Sequence, residues 1–148
     1  MDVLRRLAMI GALAAAAIIL MGTLTPLLSN DGESCLLGIP CTVGHALAFG
    51  AFGVSLAGLY VSSRWARRAP VRALVMLVLA IWIFAATTEL LQAQIGRDPS
   101  LGDWAADMAG AVGGLLAGGF AIRLLWGSRL LPQLAPGART ARRGRPSS

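Results

Sequence analysis

Six residues of this chain have the types and spacing that acid–base or binding chemistry needs. Glu89 and Gln92 stand three apart, and Asp103 and Asp107 four apart, so on helices each pair shares one face. Arg97 lies between the pairs, and His45, the single histidine, lies upstream. A carboxylate with an imidazole in reach can serve as a general acid or base. Carboxylate oxygens can also hold a polar head group or a divalent cation. Long apolar runs flank the stretch 86–110, and an ionisable group at such depth is costly and marks a site by default. Glu89 is either paired with Arg97 or carries a proton because Asp107 is near.

Each residue also has a plainer reading. Asp103 follows Ser100 by three, just after Pro99, so "SLGD" reads as a capping box that opens a helix. Gln92 reads as support for the network. Glu89 and Asp107 can be members of a purely structural hydrogen-bond network, and an interfacial His45 is unremarkable by itself. The functional reading is preferred for Glu89 and Asp107. Neither Gly-x-Ser-x-Gly nor His-Glu-x-x-His occurs. No catalytic residue, cofactor or metal-ligand set is assigned.

The elements that must position these residues follow from composition. The chain has 148 residues, 56% hydrophobic and 14% charged, with a mean hydropathy of +0.69. Soluble domains carry about 25% charged residues. Four apolar runs, roughly Leu7–Leu28, Gly44–Ser62, Ala73–Ala93 and Trp104–Trp126, have the length of about 20 residues that a spanning helix needs. No run alternates apolar and polar residues, so strands are not expected. The fold class is therefore an all-α membrane protein, a bundle of four transmembrane helices over residues 1–126. A basic, disordered cytoplasmic tail is expected over 127–148. A cleaved signal peptide is the competing reading of the first run, after Arg5 and Arg6. Its apolar length exceeds the usual 7–15 residues and "TLTPLLSN" offers no small-x-small site, so a retained helix is expected.

Net charge is +6, carried by arginine without any lysine. Arg5 and Arg6 precede the first run. Arg64, Arg67, Arg68 and Arg72 fill the connection between the second and third, and Arg123, Arg129, Arg139, Arg142, Arg143 and Arg145 end the fourth and populate the tail. Arg97 alone lies on the other side. The positive-inside rule then makes both termini cytoplasmic and turns 29–43 and 94–103 outward. Arginines spread in this way offer no basic domain for nucleic acid, so that partner is excluded. The lipid bilayer is the partner expected, in the inner membrane of a bacterial cell.

Both cysteines, Cys35 and Cys41, fall in the first outward connection. A structural disulfide is the preferred reading; free thiols and redox exchange are the alternatives, and the spacing is not Cys-x-x-Cys. Small residues let helices approach closely in lipid. Gly110, Gly114 and Gly118 form one such stripe, with Gly113 and Gly119 beside it, and Ala46, Gly50, Gly53 and Ala57 form another. Packing inside the bundle is preferred over a homo-oligomer. Trp104 reads as an interface anchor and Trp82 as deeper packing.

Taken in order, His45, Glu89, Gln92, Gly96, Arg97, Ser100, Asp103, Asp107 and Gly110 resemble the VanZ-like family of small bacterial membrane proteins. That family shows a His opening one helix, then an acid with Gln three positions on. A Gly-Arg loop with a Ser follows, then Asp-x-x-x-Asn/Asp-x-x-Gly. The resemblance covers about residues 40–120. Thr88 stands where the family often has Asp, Thr42 where Lys is common, and Ala93 and Ile95 where an aromatic and a Pro are usual. Asp107 replaces the more frequent Asn. The resemblance implies an accessory role at the outer face of the cell envelope, near wall precursors or the antibiotics that bind them, teicoplanin among the glycopeptides.

Three functions follow as expectations. The first is a non-enzymatic protein whose outer pocket, built on His45, Glu89, Gln92, Arg97, Asp103 and Asp107, binds a lipid-linked or glycopeptide ligand. The second is an enzyme on a lipid headgroup or wall precursor, with Glu89 as base or acid and His45 and Asp107 as its partners. The third, a small transporter, is disfavoured because Glu89 stands near one end of its run and not at the midplane.

Overall fold

The computed structural model describes residues 2–24, 39–96 and 99–130. Among them the chain is all-helical, without a strand. The helices are α1 (Asp2–Leu24), α2 (Cys41–Ser62), α3 (Arg64–Arg68), α4 (Pro70–Gln94) and α5 (Leu101–Leu130). Cys35, Arg97, Asp98 and the tail from residue 131 lie outside the described residues; Cys41 opens α2 and is not a free thiol.

Four segments are long and apolar enough to cross a membrane: Val3–Leu24, Cys41–Ser62, Pro70–Gln94 and Leu101–Leu125. At 1.5 Å per residue they span about 33–38 Å, slightly more than the hydrocarbon core. Large apolar side chains such as Leu13, Ile18, Val75, Ile83, Leu116 and Phe120 point outward. Exposed apolar bodies on every long helix suit lipid and not water. The fold is that of a multi-pass, all-helical membrane protein.

Helix boundaries reach beyond the apolar runs because propensity and capping set them, not hydropathy. α1 starts at Asp2, ahead of the Arg5–Arg6 pair, since arginine is a good helix former. α2 starts at Cys41, where the Pro40 carbonyl accepts from the Val43 and Gly44 amides at 3.0 Å. α5 continues past Trp126 to Leu130. The arginine-rich connection holds the short α3, absent from the sequence expectation. Its Ser63 hydroxyl accepts from the Ala66 amide at 3.3 Å as an N-cap. Tyr60 donates to the Pro70 carbonyl at 3.1 Å, tying α2 to the start of α4. α4 ends where Gly96 takes a φ of 81°, a left-handed turn that glycine adopts without strain.

α2 and α5 run parallel and form the closest helix pair. Their small-residue stripes interlock in register. A Cβ on Gly110 would overlap the Ala46 carbonyl, one on Gly114 the Gly50 carbonyl, and one on Gly53 the Ala111 carbonyl. A Cβ on Gly118 would stand 3.0 Å from the Ala57 Cβ. The stripes of α2 and α5 therefore meet inside one chain, at a separation only glycine permits. Gly113 and Gly119 are different: nothing lies within 4 Å of a Cβ built there. α1 runs antiparallel to α2 along Ala8, Ala12, Ala15 and Ile19 and reaches it through Gly11 opposite Ser55 and Ala8 opposite Gly58. α4 stands further off, held by side chains. Phe84 packs on Phe49 and Phe52 of α2 with ring centroids 5.7 and 5.4 Å away, beside the buried Ile81 and Ala85.

This connectivity sorts charge by end. The start of α1, the end of α2, α3 and the start of α4 bring Arg5, Arg6, Arg64, Arg67, Arg68 and Arg72 to one end of the bundle. The starts of α2 and α5 and the end of α4 bring His45, Glu89, Asp103 and Asp107 to the other.

Candidate functional site

The close contact of α2 and α5 places His45 against Asp107. His45 precedes Ala46 in the stripe, and Asp107 lies one turn before Gly110 and Ala111, so wherever the stripes touch the two side chains must face each other. His45 Nδ1 and Asp107 Oδ1 are 2.8 Å apart. Asp107 is 0% exposed, and the His45 side chain is 14% exposed. The Asp107 Oδ2 atom is buried with no hydrogen-bond partner among the described residues.

Glu89 arrives from α4. It is 7% exposed, on the face that also buries Ala85, Thr88 and Gln92. Its Oε2 accepts from the Ser100 amide at 3.0 Å, while Oε1 is buried and, among the described residues, unpartnered. Ser100 is the residue ahead of α5, and its hydroxyl accepts from the Asp103 amide at 3.3 Å. The capping box expected from "SLGD" is thus half made. In a capping box the third helical residue reaches back to the cap amide. Here Glu89 of another helix takes that amide, and the Asp103 carboxylate accepts from the Thr42 hydroxyl at 2.8 Å. Asp103 is therefore a clamp between α5 and α2 rather than a reciprocal cap.

The structure brings together His45, Glu89 and Asp107, with Asp103 at the rim. Each of the first three offers one ligand atom, and these atoms all lie within 4.8 Å of one another. Gln92 is 3% exposed, one turn beyond Glu89 on the same buried face. Besides the direct His45–Asp107 bond, the hydrogen bonds of the cluster run through Thr42 and Ser100, residues that the acidic pattern alone did not single out. Ser100 had a visible signal, its place three before Asp103. Thr42 enters only through the resemblance, as a position where Lys is common; nothing local pointed to its bond with Asp103, 61 residues away. Arg97, expected beside Glu89, falls outside the described residues.

Beside the cluster, α4 and α5 leave an open-sided groove of about 490 Å³, lined by Trp82, Glu89, Leu90, Ser100, Leu101 and Trp104 among others. Trp82 corrects an expectation. It is 48% exposed and does not pack in the core. Its ring meets Trp104 edge to face with centroids 6.2 Å apart, and the two rings wall the groove. The reason is the wide α4–α5 spacing, which leaves room between helices that glycine contacts would have closed. The lining is almost wholly apolar and suits an apolar segment; of the Glu89 carboxylate, Oε1 is buried and Oε2 is held by the Ser100 amide.

Comparison with protein-family models, with curated proteins and with solved structures finds no match to this chain.

Proposed function

We propose that this chain is a small VanZ-like protein of the bacterial cell membrane that binds an amphiphile at the outer membrane–water boundary. The apolar part of the ligand lies in the Trp82–Leu90–Leu101–Trp104 groove, and its polar head meets the His45–Glu89–Asp107 cluster. The observation that carries this reading is Glu89. It lines the groove and belongs to the buried cluster, so one residue borders both. The volume of about 490 Å³ lies within the usual range for small-molecule sites, roughly 300–1,000 Å³.

The arginine-rich end faces the cytoplasm by the positive-inside rule, with both termini on that side. The cluster then looks outward, where lipid-linked wall precursors and glycopeptides of the teicoplanin type are met. The order of residues from His45 to Gly110, which resembles that of VanZ-like proteins, supports the same setting. A second reading draws on the His45–Asp107 pair at 2.8 Å. With Glu89 beside it, the pair has the reach for general acid–base work on a lipid headgroup.

Native mass spectrometry of the detergent-purified chain tests the binding reading, with teicoplanin and a polyisoprenyl-phosphate lipid as probes. Wild type retains at least one of the two, and Trp104→Ala and Leu90→Gln lose it at least tenfold. Retention of neither probe, or equal retention by the variants, overturns the groove as a binding site. Turnover of the lipid probe by wild type and not by Glu89→Gln would favour the enzymatic reading.

A further inference from the structure

We infer that His45, Glu89 and Asp107 form a binding site for a single divalent transition-metal cation of the zinc class. The inference concerns the cluster used above but stands on these three residues alone, whether or not an amphiphile enters the groove. Three helices, α2, α4 and α5, each contribute one donor, and the donor atoms lie within 4.8 Å of one another. Small side-chain rotations bring such a set to the bond lengths of about 2.0–2.2 Å that zinc makes with nitrogen and oxygen.

Burial supplies the second observation. Asp107 is 0% exposed and Glu89 7%, and each keeps one carboxylate oxygen, Oδ2 and Oε1, without a hydrogen-bond donor among the described residues. An unpaired buried carboxylate oxygen loses its hydration with nothing in return, and native proteins rarely tolerate it. Two such carboxylates grouped with one histidine suit a shared positive partner. The chain has no lysine, and Arg97, the arginine nearest in sequence to Glu89, lies outside the described residues. A divalent cation satisfies both oxygens at once.

The donor types narrow the class. One imidazole nitrogen with two carboxylates suits zinc or its neighbours better than magnesium or calcium, which take oxygen alone. The surroundings act as an outer shell. Ser100 donates its amide to Glu89 Oε2 at 3.0 Å and leaves the buried Oε1 without a donor among the described residues. Three protein donors leave a further position on the metal for water or a ligand head.

The test uses the full, tag-free chain in detergent, stripped with EDTA and desalted after exposure to Zn²⁺. Elemental analysis of wild type should find about one zinc per chain. Asp107→Asn and His45→Gln should cut retention at least tenfold. Asp103→Asn should keep it, because Asp103 bonds to Thr42 outside the three-donor set. Gel filtration and helical circular dichroism identify any variant that fails to fold. Wild type loaded with Co²⁺ gives a reading free of mutations, since coordination by the cluster produces visible d–d bands that Zn²⁺ displaces. Less than a tenth of an equivalent of zinc in wild type, no Co²⁺ bands, or full retention by folded Asp107→Asn would overturn the site. Metal content and amphiphile retention are separate measurements, so either reading can fail alone.

Discussion

Gly114→Ala probes the contact that builds the site. The new Cβ would overlap the Gly50 carbonyl oxygen and stand 2.9 Å from its carbon. Both atoms are backbone and cannot rotate away, so α5 itself must shift. Restoring a carbon–carbon separation of about 3.5–4.0 Å moves the helices apart by roughly 1 Å. Overpacking of this kind costs about 1–3 kcal/mol. Replacing a helical glycine by alanine returns about 0.5–1 kcal/mol. The net loss is then about 0–2.5 kcal/mol, centred a little above 1. Gly113→Ala is the matched control, one position away with nothing within 4 Å of its Cβ, and should be neutral or slightly stabilising. Thermal unfolding in detergent, followed by circular dichroism, reads the difference. The separation should also stretch the 2.8 Å His45–Asp107 contact beyond hydrogen-bond range. If Gly114→Ala melts together with Gly113→Ala, the two stripes do not carry the α2–α5 contact, and the account of how His45 meets Asp107 falls with it.

Glu89→Ala leaves the Ser100 amide without its acceptor and should cost about 1–3 kcal/mol, whereas Glu89→Gln keeps an acceptor and should lose much less; the same unfolding assay separates them. A double-mutant cycle on His45→Phe and Asp107→Leu should show coupling of about 0.5–3 kcal/mol, and additive losses would mean that the 2.8 Å pair contributes nothing specific. For topology, a C-terminal green fluorescent protein fusion should fluoresce, and alkaline phosphatase fused after Gly96 should be active outside the cell; the reverse pattern would invert the bundle. In a deletion strain challenged with teicoplanin, wild type should protect while Glu89→Gln and Asp107→Asn fail at equal membrane abundance. No difference between any of these strains and the deletion would remove the glycopeptide setting.

Much of the fold is legible from local physics. A run of apolar residues about 20 long needs lipid around it and a helix within it, and that holds for each of the four runs without knowledge of the others. Arginine placement separates the two ends of the bundle for the same reason, because charge avoids hydrocarbon wherever it occurs. The i, i+3 and i, i+4 spacing of Glu89 with Gln92 and of Asp103 with Asp107 is likewise a property of one helix. The Ser100 cap is local too, and Ser100 does accept from the Asp103 amide.

What the sequence left open are the relations between helices, since these depend on shape at contact and not on any run of residues. Glycines at four-residue spacing are suited to close approach, but only the parallel, interlocked pairing of Gly110 with Ala46 and Gly114 with Gly50 places His45 on Asp107. The diversion of Asp103 to Thr42 and of Glu89 to the Ser100 amide follows from that pairing and from where α4 lands. Hydropathy cannot tell a tryptophan that fills a core from one that walls a groove. The wide α4–α5 spacing, kept open by side chains larger than glycine, gave Trp82 and Trp104 the second role. Composition and spacing determined four apolar spans with Glu89, Asp103 and Asp107 at one end. Backbone contact between α2 and α5 decided that His45 meets Asp107, because there the helices come close enough for one residue's position to dictate another's.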